Sequence, residues 1–268
     1  MDYKKLDQRT HVYQFPSTYV GSDELYDTGD WIFDFKSRHL SFEPIQYIPA
    51  CQRLFLEILS NASDSVLKSR RNNKPTNKPI EISMDKKKIK VRNYGLPIPI
   101  EIHEIEKIYI PEMIFGHMFT SSNYNIDRNE AGTNGIGAKA TNIFSTFFSV
   151  YVVDVEQNKT YYQVWRDNML VVSEPVIKPL SEESSQTSQT SQTSQTSQTS
   201  QNTKTTKNNQ ITQNESYVEV VYEMDFERFK YTEYPQVYFE LYAKHALDTS
   251  FTCRIPIIFN DINYRFQF

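Results

Sequence analysis

Hydrophobic residues recur at three- and four-residue steps over residues 49–68, and this is the strongest periodic signal in the chain. The apolar positions that set the period are Cys51, Leu54, Phe55, Ile58, Leu59, Ala62 and Val66. Such spacing predicts an amphipathic helix with one buried face. Glu57, Asn61 and Asp64 follow the same helical spacing and form a second, polar stripe beside the apolar one. A polar stripe is either a solvated face or part of a site, and periodicity alone leaves both open.

Most of the remaining chain reads as strands separated by turns. Strands are predicted over residues 31–42, 80–84, 89–92, 150–155, 160–165, 169–174 and 217–224, with one or two more over residues 254–268. Further helices are predicted over residues 101–109, 138–148 and 234–247, and a helix or a turn over residues 111–119. The first fourteen residues are polar and aromatic with little periodicity, and we expect an arm or a short helix there.

A low-complexity segment interrupts this pattern at residues 181–214. Copies of Ser-Gln-Thr fill residues 185–201, and a polar tail rich in Thr, Lys, Asn and Gln follows. Such a composition cannot supply a hydrophobic core, so we expect a disordered surface insertion between two strands of one domain.

Composition excludes several classes of protein. The net charge of -4 argues against a protein that coats nucleic acid through an overall basic surface. Cys51 and Cys253 are far apart, and Cys51 lies on the apolar stripe, so we expect a buried free thiol and a reducing compartment. The five histidines lack metal-ligand spacing, which argues against a zinc site. No apolar run has membrane-spanning length and no signal peptide is evident, so we expect a soluble intracellular protein.

Three segments carry candidate chemistry. The first is the polar stripe of the helix, and the second is the Asn-Tyr-Gly loop that begins at Asn93, after a hairpin. The third is a polar, lid-like stretch over residues 120–134, which ends in glycines just before a predicted helix. A glycine-rich loop that leads into a helix is a ready anion site. The chain has no Walker-type phosphate loop, because GTNGIGAK lacks the hydroxyl residue after its lysine.

Four motifs, EILSNASD, NYGLPIP, IPEMIFGHMFTSSNY and GTNGIGAKATNIFS, occur in the order and spacing found in one ATPase family. Over nearly the whole chain outside the insertion, the sequence resembles the ATP-binding region of eukaryotic-type type IIA DNA topoisomerases. That region belongs to the GHKL superfamily, which also includes gyrase B, Hsp90, MutL and sensor histidine kinases.

This resemblance implies a fold and a domain organisation. The fold would be a two-layer α/β sandwich of the GHKL (Bergerat) type, with a mixed, mostly antiparallel sheet and helices on one face. Residues 1–22 would be an N-terminal dimerisation arm, and residues 23–268 would be the ATPase domain, interrupted by the insertion. The transducer and cleavage domains of the family would be absent from these residues.

The resemblance also implies roles for individual residues. Glu57 would be the general base, Asn61 the Mg²⁺ ligand and Asn93 the side chain that reads adenine. The adenine slot would be lined by Ile98, Ile114 and Phe115. The lid would contribute Ser121, Ser122 and Asn123, and the phosphate loop Asn134, Gly135, Ile136, Gly137, Ala138 and Lys139. Tyr3 would reach the nucleotide of the partner subunit.

Four positions depart from the family pattern. Pro97 replaces the second glycine of the adenine loop, and Thr133 stands where an arginine is common. Ile136 replaces a tyrosine of the phosphate loop. Val218 takes the place of a threonine that usually holds adenine through water. The base and the metal ligand are intact.

The implied function is that of the ATP-dependent gate of a type IIA topoisomerase. The cofactors would be ATP and Mg²⁺, and the gate would close as a homodimer to drive one DNA duplex through a double-strand break in another. Double-stranded DNA would be a partner of the full-length enzyme, and no membrane is involved. Without a transducer the chain would bind ATP but hydrolyse it slowly.

Two alternatives stay open, both within the wider superfamily. One is an Hsp90-like or MutL-like protein, and the other is a nucleotide-dependent dimerisation module with little or no turnover. The abundance of aromatic residues, Asn and Lys, together with a simple repeat, suggests an AT-rich protist or large DNA virus. We therefore expect the protein in a nucleus, a viral factory or a virion.

Overall fold

The periodic segment forms the central helix α3, Pro49–Arg71, in a computed structural model of the chain. The structure describes residues 5–118, 136–180 and 215–264. Pro49 occupies the first turn, where its missing N–H costs nothing. Three basic side chains in the last turn lie near the negative end of the helix dipole, and the helix extends beyond residue 68, where the apolar period ends. The seven apolar positions of the stripe are all buried, and Cys51 is a buried free thiol, as predicted.

The other elements follow in chain order. The helices are α1 Gln8–Gln14, α2 Pro16–Tyr19, α4 Ile110–Gly116, α5 Gly137–Ile143 and α6 Gln236–Cys253. The strands are β1 Tyr26–Asp34, β2 His39–Tyr47, β3 Ile80–Met84, β4 Lys88–Asn93, β5 Ser145–Asp154, β6 Lys159–Arg166, β7 Val171–Val172, β8 Val176–Pro179, β9 Tyr217–Met224, β10 Ile257–Phe259 and β11 Ile262–Tyr264.

Within the described residues, nine strands form one twisted sheet in the order β11-β10-β3-β4-β9-β5-β6, with β7 and β8 both pairing with β6. The β10–β3 pair is parallel and the other neighbours are antiparallel. β1 and β2 form a separate two-stranded sheet that packs against α6. The predicted mixed, mostly antiparallel sheet is confirmed.

Helices α3, α5 and α6 cover one face of this sheet. The Phe55 ring of α3 stacks on the Tyr242 ring of α6 at 4.1 Å between centroids, and the Tyr242 hydroxyl donates to the Cys51 carbonyl at 2.8 Å. Each large apolar side chain buried in this way contributes about 1.5–3 kcal/mol. The α/β sandwich is therefore held by a core in which α3 is the middle helix.

The structure corrects two predicted helices. Residues 101–109 form a turn closed by a bridge between Ile102 and Tyr109, and Lys107 has a positive φ of 58°. The helix predicted over residues 138–148 ends at Ile143, because the chain then enters β5 and pairs with β9.

The strand predicted over residues 169–174 is also shorter than expected, because only Val171 and Val172 pair with β6. Asp167, Asn168 and Met169 have positive φ values and turn the chain just before this short strand.

The N-terminal segment packs on its own chain over part of its length. Val12 of α1 and Val20 are buried in the main core, and the Tyr13 ring lies 5.7 Å from the Phe144 ring. Tyr3 and the insertion at residues 181–214 lie outside the described residues.

Candidate functional site

Glu57 meets the first residue of α5. A Cβ atom built on Gly137 would lie 1.8 Å from Oε2 of Glu57 and 2.7 Å from its Cδ, distances at which non-bonded atoms overlap. Only glycine therefore fits at residue 137 while this carboxylate keeps its position. The other oxygen, Oε1, lies 2.5 Å from Nε of Arg53, one helical turn earlier. The carboxylate is thus held by a cation on one side and faces the loop backbone on the other.

A second glycine touches α3 further along the helix. A Cβ built on Gly95 would lie 2.4 Å from the Ser65 carbonyl carbon and 2.6 Å from its oxygen. Two hydrogen bonds join this loop to the helix: Ser65 Oγ donates to the Leu96 carbonyl at 3.1 Å, and Leu96 N–H donates to the Ser65 carbonyl at 3.3 Å. The loop after β4 is therefore fixed directly on the helix backbone.

These two contacts lie at the ends of one polar face. Ser65 extends the polar stripe of Glu57, Asn61 and Asp64 by one position. Glu57, Asn61 and Ser65 are spaced by four residues, so they line up along α3 over roughly 12 Å, given a rise of about 1.5 Å per residue. Asn61, in the middle, is exposed. The polar stripe thus connects the loop at Gly137 with the loop at Gly95, and the reading of this stripe as a merely solvated face does not account for either contact.

Asn93 is the last residue of β4 and is 6% exposed. Its Oδ1 accepts a hydrogen bond from the Gly95 N–H at 3.1 Å, so its side chain shapes the turn. In the sheet, Asn93 lies directly opposite Val218 of β9. Val218 is buried as well, which places the departure from the family's threonine next to the amide expected to read adenine.

Helix α5 is hydrogen-bonded to both α3 and α4. Thr141 Oγ1 donates to the Leu54 carbonyl at 2.9 Å, and Asn142 Nδ2 donates to the Phe115 carbonyl at 3.0 Å. Of the predicted slot residues, Phe115 is buried. The other two slot residues, Ile98 and Ile114, are partly buried against the same core, and so is Ile136 of the predicted phosphate loop.

Lys139 is a lysine with only 3% of its surface exposed. Burial disfavours its charged form and lowers its pKa to about 8. It lies in the first turn of α5, two residues after Gly137, and Ala138 between them is buried. A cation is therefore available below pH 8 at the same end of the site as Glu57.

Some predicted site residues lie outside the described residues, namely Tyr3, Ser121, Ser122, Asn123, Asn134 and Gly135. Ser65 and Gly95 were missed as site residues by the sequence reasoning. Extending the four-residue step from Glu57 and Asn61 would have found Ser65. Arg53 follows from the same step in the other direction. No sequence pattern indicates that Gly95 packs against the main chain of Ser65.

Comparison with known proteins gives one consistent result. No family model matches the chain. The chain is 40% identical over 189 residues to DNA topoisomerase 2 of Candida glabrata, which covers 69% of this chain and 13% of that protein. It is 33% identical over 264 residues to DNA topoisomerase 2 of Plasmodium falciparum, which covers 96% of this chain and 16% of that protein. The chain thus spans less than a fifth of the length of these relatives.

The structural comparison decides the family. The ATPase region of Saccharomyces cerevisiae topoisomerase II superposes with a TM-score of 0.80 and 30% identity, over 99% of this chain and 62% of that one. The chain belongs to the ATPase-domain family of type IIA DNA topoisomerases. The predicted family and its GHKL fold are therefore confirmed, and the Hsp90-like and MutL-like alternatives find no support.

The source predicted for this topoisomerase ATPase domain is not supported. Relatives from yeasts and plants match as well as the one from Plasmodium falciparum, so similarity does not single out the viral or protist origin that composition suggested, and it gives no support to a viral factory or virion. Among the residues that the structure describes, no helix combines the length and apolarity needed to cross a lipid bilayer.

Proposed function

We propose that the chain binds ATP with Mg²⁺ along the polar stripe of α3 and hydrolyses the γ-phosphate bond. The observation that carries the proposal is the pair of glycine contacts at the two ends of this stripe, Gly137 on Glu57 and Gly95 on Ser65. A nucleotide has an anionic end and a heterocyclic end. The glycine loop with the buried Lys139 suits the anionic phosphates, and the loop after Asn93 suits the heterocycle.

Hydrolysis requires a base beside the γ-phosphate. Glu57 Oε2 would accept a proton from the attacking water, while Arg53 holds Oε1 and fixes the carboxylate plane. Lys139 and the backbone N–H groups at Gly137 and Ala138 would offset the phosphate charge.

The metal ligand is proposed on the chemistry of its donor. Asn61 offers a hard amide oxygen on the exposed middle of the stripe, which fits Mg²⁺. Bound there, Mg²⁺ would neutralise phosphate charge. Asn61 lies one helical turn from the base, so one helix face would orient both the ion and the water.

The heterocycle would lie at the other end of the stripe. Asn93 offers an amide that can both donate and accept, and Ile98, Ile114 and Phe115 offer apolar walls. Asn93 Oδ1 already accepts a hydrogen bond from the Gly95 N–H, so the Nδ2 group of Asn93 is the one that would contact the adenine ring. Val218 would leave out the water-mediated contact that a threonine would make.

The family resemblance adds residues for which no geometry is described. We assign Ser121, Ser122 and Asn123 to ribose and phosphate contacts, and Asn134, Gly135 and Ile136 to the phosphate loop. Tyr3 would act on the nucleotide of the partner subunit.

For the whole protein we propose the gate of an ATP-dependent type II DNA topoisomerase, acting in the nucleus. ATP would close two copies of this domain into a homodimer, and this closure would drive passage of one DNA duplex through another. The support is the name and the domain of the relatives, not a DNA-binding feature of the described residues.

Steady-state ATP hydrolysis by wild type and by Glu57→Gln tests the enzymatic part. We expect Glu57→Gln to lower kcat by about 100-fold or more while ATP binding is kept. Glu240→Gln, the same chemical change on α6, is the matched control and should turn over ATP like wild type. Full turnover by Glu57→Gln would refute the assigned base. Wild-type binding without turnover would favour a nucleotide-dependent dimerisation module.

The gate is tested by the mass of the chain in solution, with and without Mg²⁺ and a non-hydrolysable ATP analogue. A change from monomer to dimer only with the nucleotide supports closure. A monomer that binds the analogue keeps the ATP site but contradicts closure by this domain alone.

A further inference from the structure

Asn142 is a buried polar residue that the catalytic assignment does not use. It lies near the end of α5 and is 1% exposed. Its Nδ2 donates to the main-chain carbonyl of Phe115 at 3.0 Å. Phe115 is in the last turn of α4, where helix carbonyls have no partner within the helix. One side chain from α5 therefore satisfies the C-terminal end of α4.

The other half of this amide is left without a hydrogen bond. Oδ1 of Asn142 is buried and accepts nothing from the residues that the structure describes. Buried acceptors are nearly always satisfied, and an apolar residue of similar size would avoid this cost. Packing alone would favour an apolar side chain at residue 142, so the hydrogen bond from Nδ2 to the Phe115 carbonyl is what explains the amide.

The end of α4 is fixed on its other side by packing. A Cβ built on Gly116 would lie 2.9 Å from Nε1 of Trp165 and 3.2 Å from its Cε2, so the last turn of α4 lies against the indole of β6. The Phe115 ring lies 6.0 Å from the Phe148 ring of β5. Aromatic packing thus fixes how closely α4 approaches the sheet, and Asn142 provides a side-chain hydrogen bond between α5 and α4.

We propose that Asn142 is a positioning residue that sets the adenine slot relative to the phosphate loop. Helix α4 carries Ile114 and Phe115, the walls proposed for adenine, and α5 carries Gly137 and Lys139, proposed for the phosphates. The inference rests on the proposed function, because that function assigns the walls. Asn142 touches neither end of the nucleotide in this scheme and acts through Phe115.

Two variants of Asn142 separate positioning from packing. Asn142→Asp keeps the size but turns a carboxylate oxygen toward the Phe115 carbonyl, so attraction becomes repulsion. Asn142→Leu removes both polar atoms, so the unsatisfied Oδ1 disappears together with the hydrogen bond to the Phe115 carbonyl. Ser145→Ala is the matched control, because Ser145 is equally buried and its hydroxyl donates to the Thr141 carbonyl of α5 at 2.5 Å.

The experiment measures the affinity of the full chain for two probes in the presence of Mg²⁺, a non-hydrolysable ATP analogue and inorganic triphosphate, with thermal melting as the check on folding. Triphosphate lacks the base and ribose, so it reports on the phosphate end alone. We expect both Asn142 variants to weaken binding of the ATP analogue by about tenfold or more. Their affinity for triphosphate and both affinities of Ser145→Ala should stay at the wild-type level.

Equal losses for both probes, or no loss for either, would overturn the positioning role of Asn142. A wild-type chain that binds neither probe would refute the proposed function itself, and the inference with it. The two failures are distinguished by the wild-type titration alone.

Discussion

Gly137 and Glu57 are in contact across the start of α5, with no space for a side chain at residue 137. The two residues come from distant parts of the chain, one from a glycine loop and one from the polar stripe of α3. Their contact joins two sequence motifs into one feature, in which the carboxylate and the loop backbone fix each other's position. A carboxylate held in this way is oriented before any ligand binds.

Gly137→Ala should displace the Glu57 carboxylate, because its Cβ would lie 1.8 Å from Oε2. The carboxylate is the far end of a flexible side chain that is 19% exposed, so it can move and the domain should stay folded. We expect kcat for ATP to fall on the order of 100-fold and ATP affinity to fall as well, because the displaced carboxylate crowds the phosphate end, with only a small change in melting temperature.

Removing the obstructing side chain provides the control for this variant. In Gly137→Ala combined with Glu57→Ala, the added methyl group has space, so ATP affinity should return to that of Glu57→Ala alone. Turnover should remain absent. A double variant that binds ATP no better than Gly137→Ala would mean that the loop needs glycine for another reason.

Gly95→Ala should behave differently, because its Cβ would meet the Ser65 main chain at 2.4 Å. Backbone cannot move aside as a carboxylate can, so we expect a loss of about 1–3 kcal/mol in the free energy of unfolding. Chemical denaturation measures this loss. Adding Ser65→Ala should not restore stability, since the carbonyl carbon remains, and full restoration would show that only the hydroxyl obstructs.

Val218→Thr should tighten ATP binding by restoring a hydroxyl opposite Asn93. One added hydrogen bond is worth about 0.5–1.5 kcal/mol, which corresponds to roughly a 2- to 10-fold gain in affinity. Val220→Thr is the matched control, because Val220 is equally buried on the same strand but pairs with Val91. It should lower stability without improving affinity. Equal affinity for wild type and Val218→Thr would place adenine elsewhere.

The buried Lys139 should make stability and ATP affinity change with pH in opposite directions. Burial lowers its pKa from 10.5 to about 8, so between these values the unfolded chain binds more protons than the folded one. The cost of burying the charge is therefore full below pH 8 and is relieved as the pH rises towards 10.5, and stability should increase. ATP affinity should fall over the same rise, because the lysine loses its charge.

Measuring unfolding and ATP binding of wild type and Lys139→Met across pH 7 to pH 10 checks both signs. In Lys139→Met, the rise in stability and the fall in ATP affinity above pH 8 should both be lost, because methionine has no titratable group. If its curves match those of wild type, another group is responsible.

The parts of the fold that the sequence predicted are those with strong local periods. Helix α3 follows from a repeat of three to four residues, and the β3–β4 hairpin follows from two short strands with a two-residue repeat. Of the three site segments, only the polar stripe of α3 has such a period, and the Asn93 loop and the glycine loop were found from their residue types and order. Their contacts could not be found, because the approach of Gly137 to Glu57 depends on how α5 packs on α3.

The wrong helix predictions share one cause, which is that backbone pairing outweighs a hydrophobic period. Ile102, Ile105 and Ile108 have a helix-like spacing, yet Ile105 is 81% exposed and the segment is shaped by a bridge to Tyr109. The helix after Gly137 was extended too far because the apolar run continues unchanged into β5. Only pairing with β9 marks where the helix ends and the strand begins.

The most direct test of a nucleotide site along α3 is equilibrium binding of a non-hydrolysable ATP analogue with Mg²⁺. The comparison uses wild type, Glu57→Gln and Asn93→Ser, since serine can still accept from the Gly95 N–H but is too short to reach a base. Wild type and Glu57→Gln should bind alike, and Asn93→Ser should bind about tenfold more weakly or worse. A wild-type chain that does not bind the analogue, or an Asn93→Ser variant that binds it like wild type, would contradict this site.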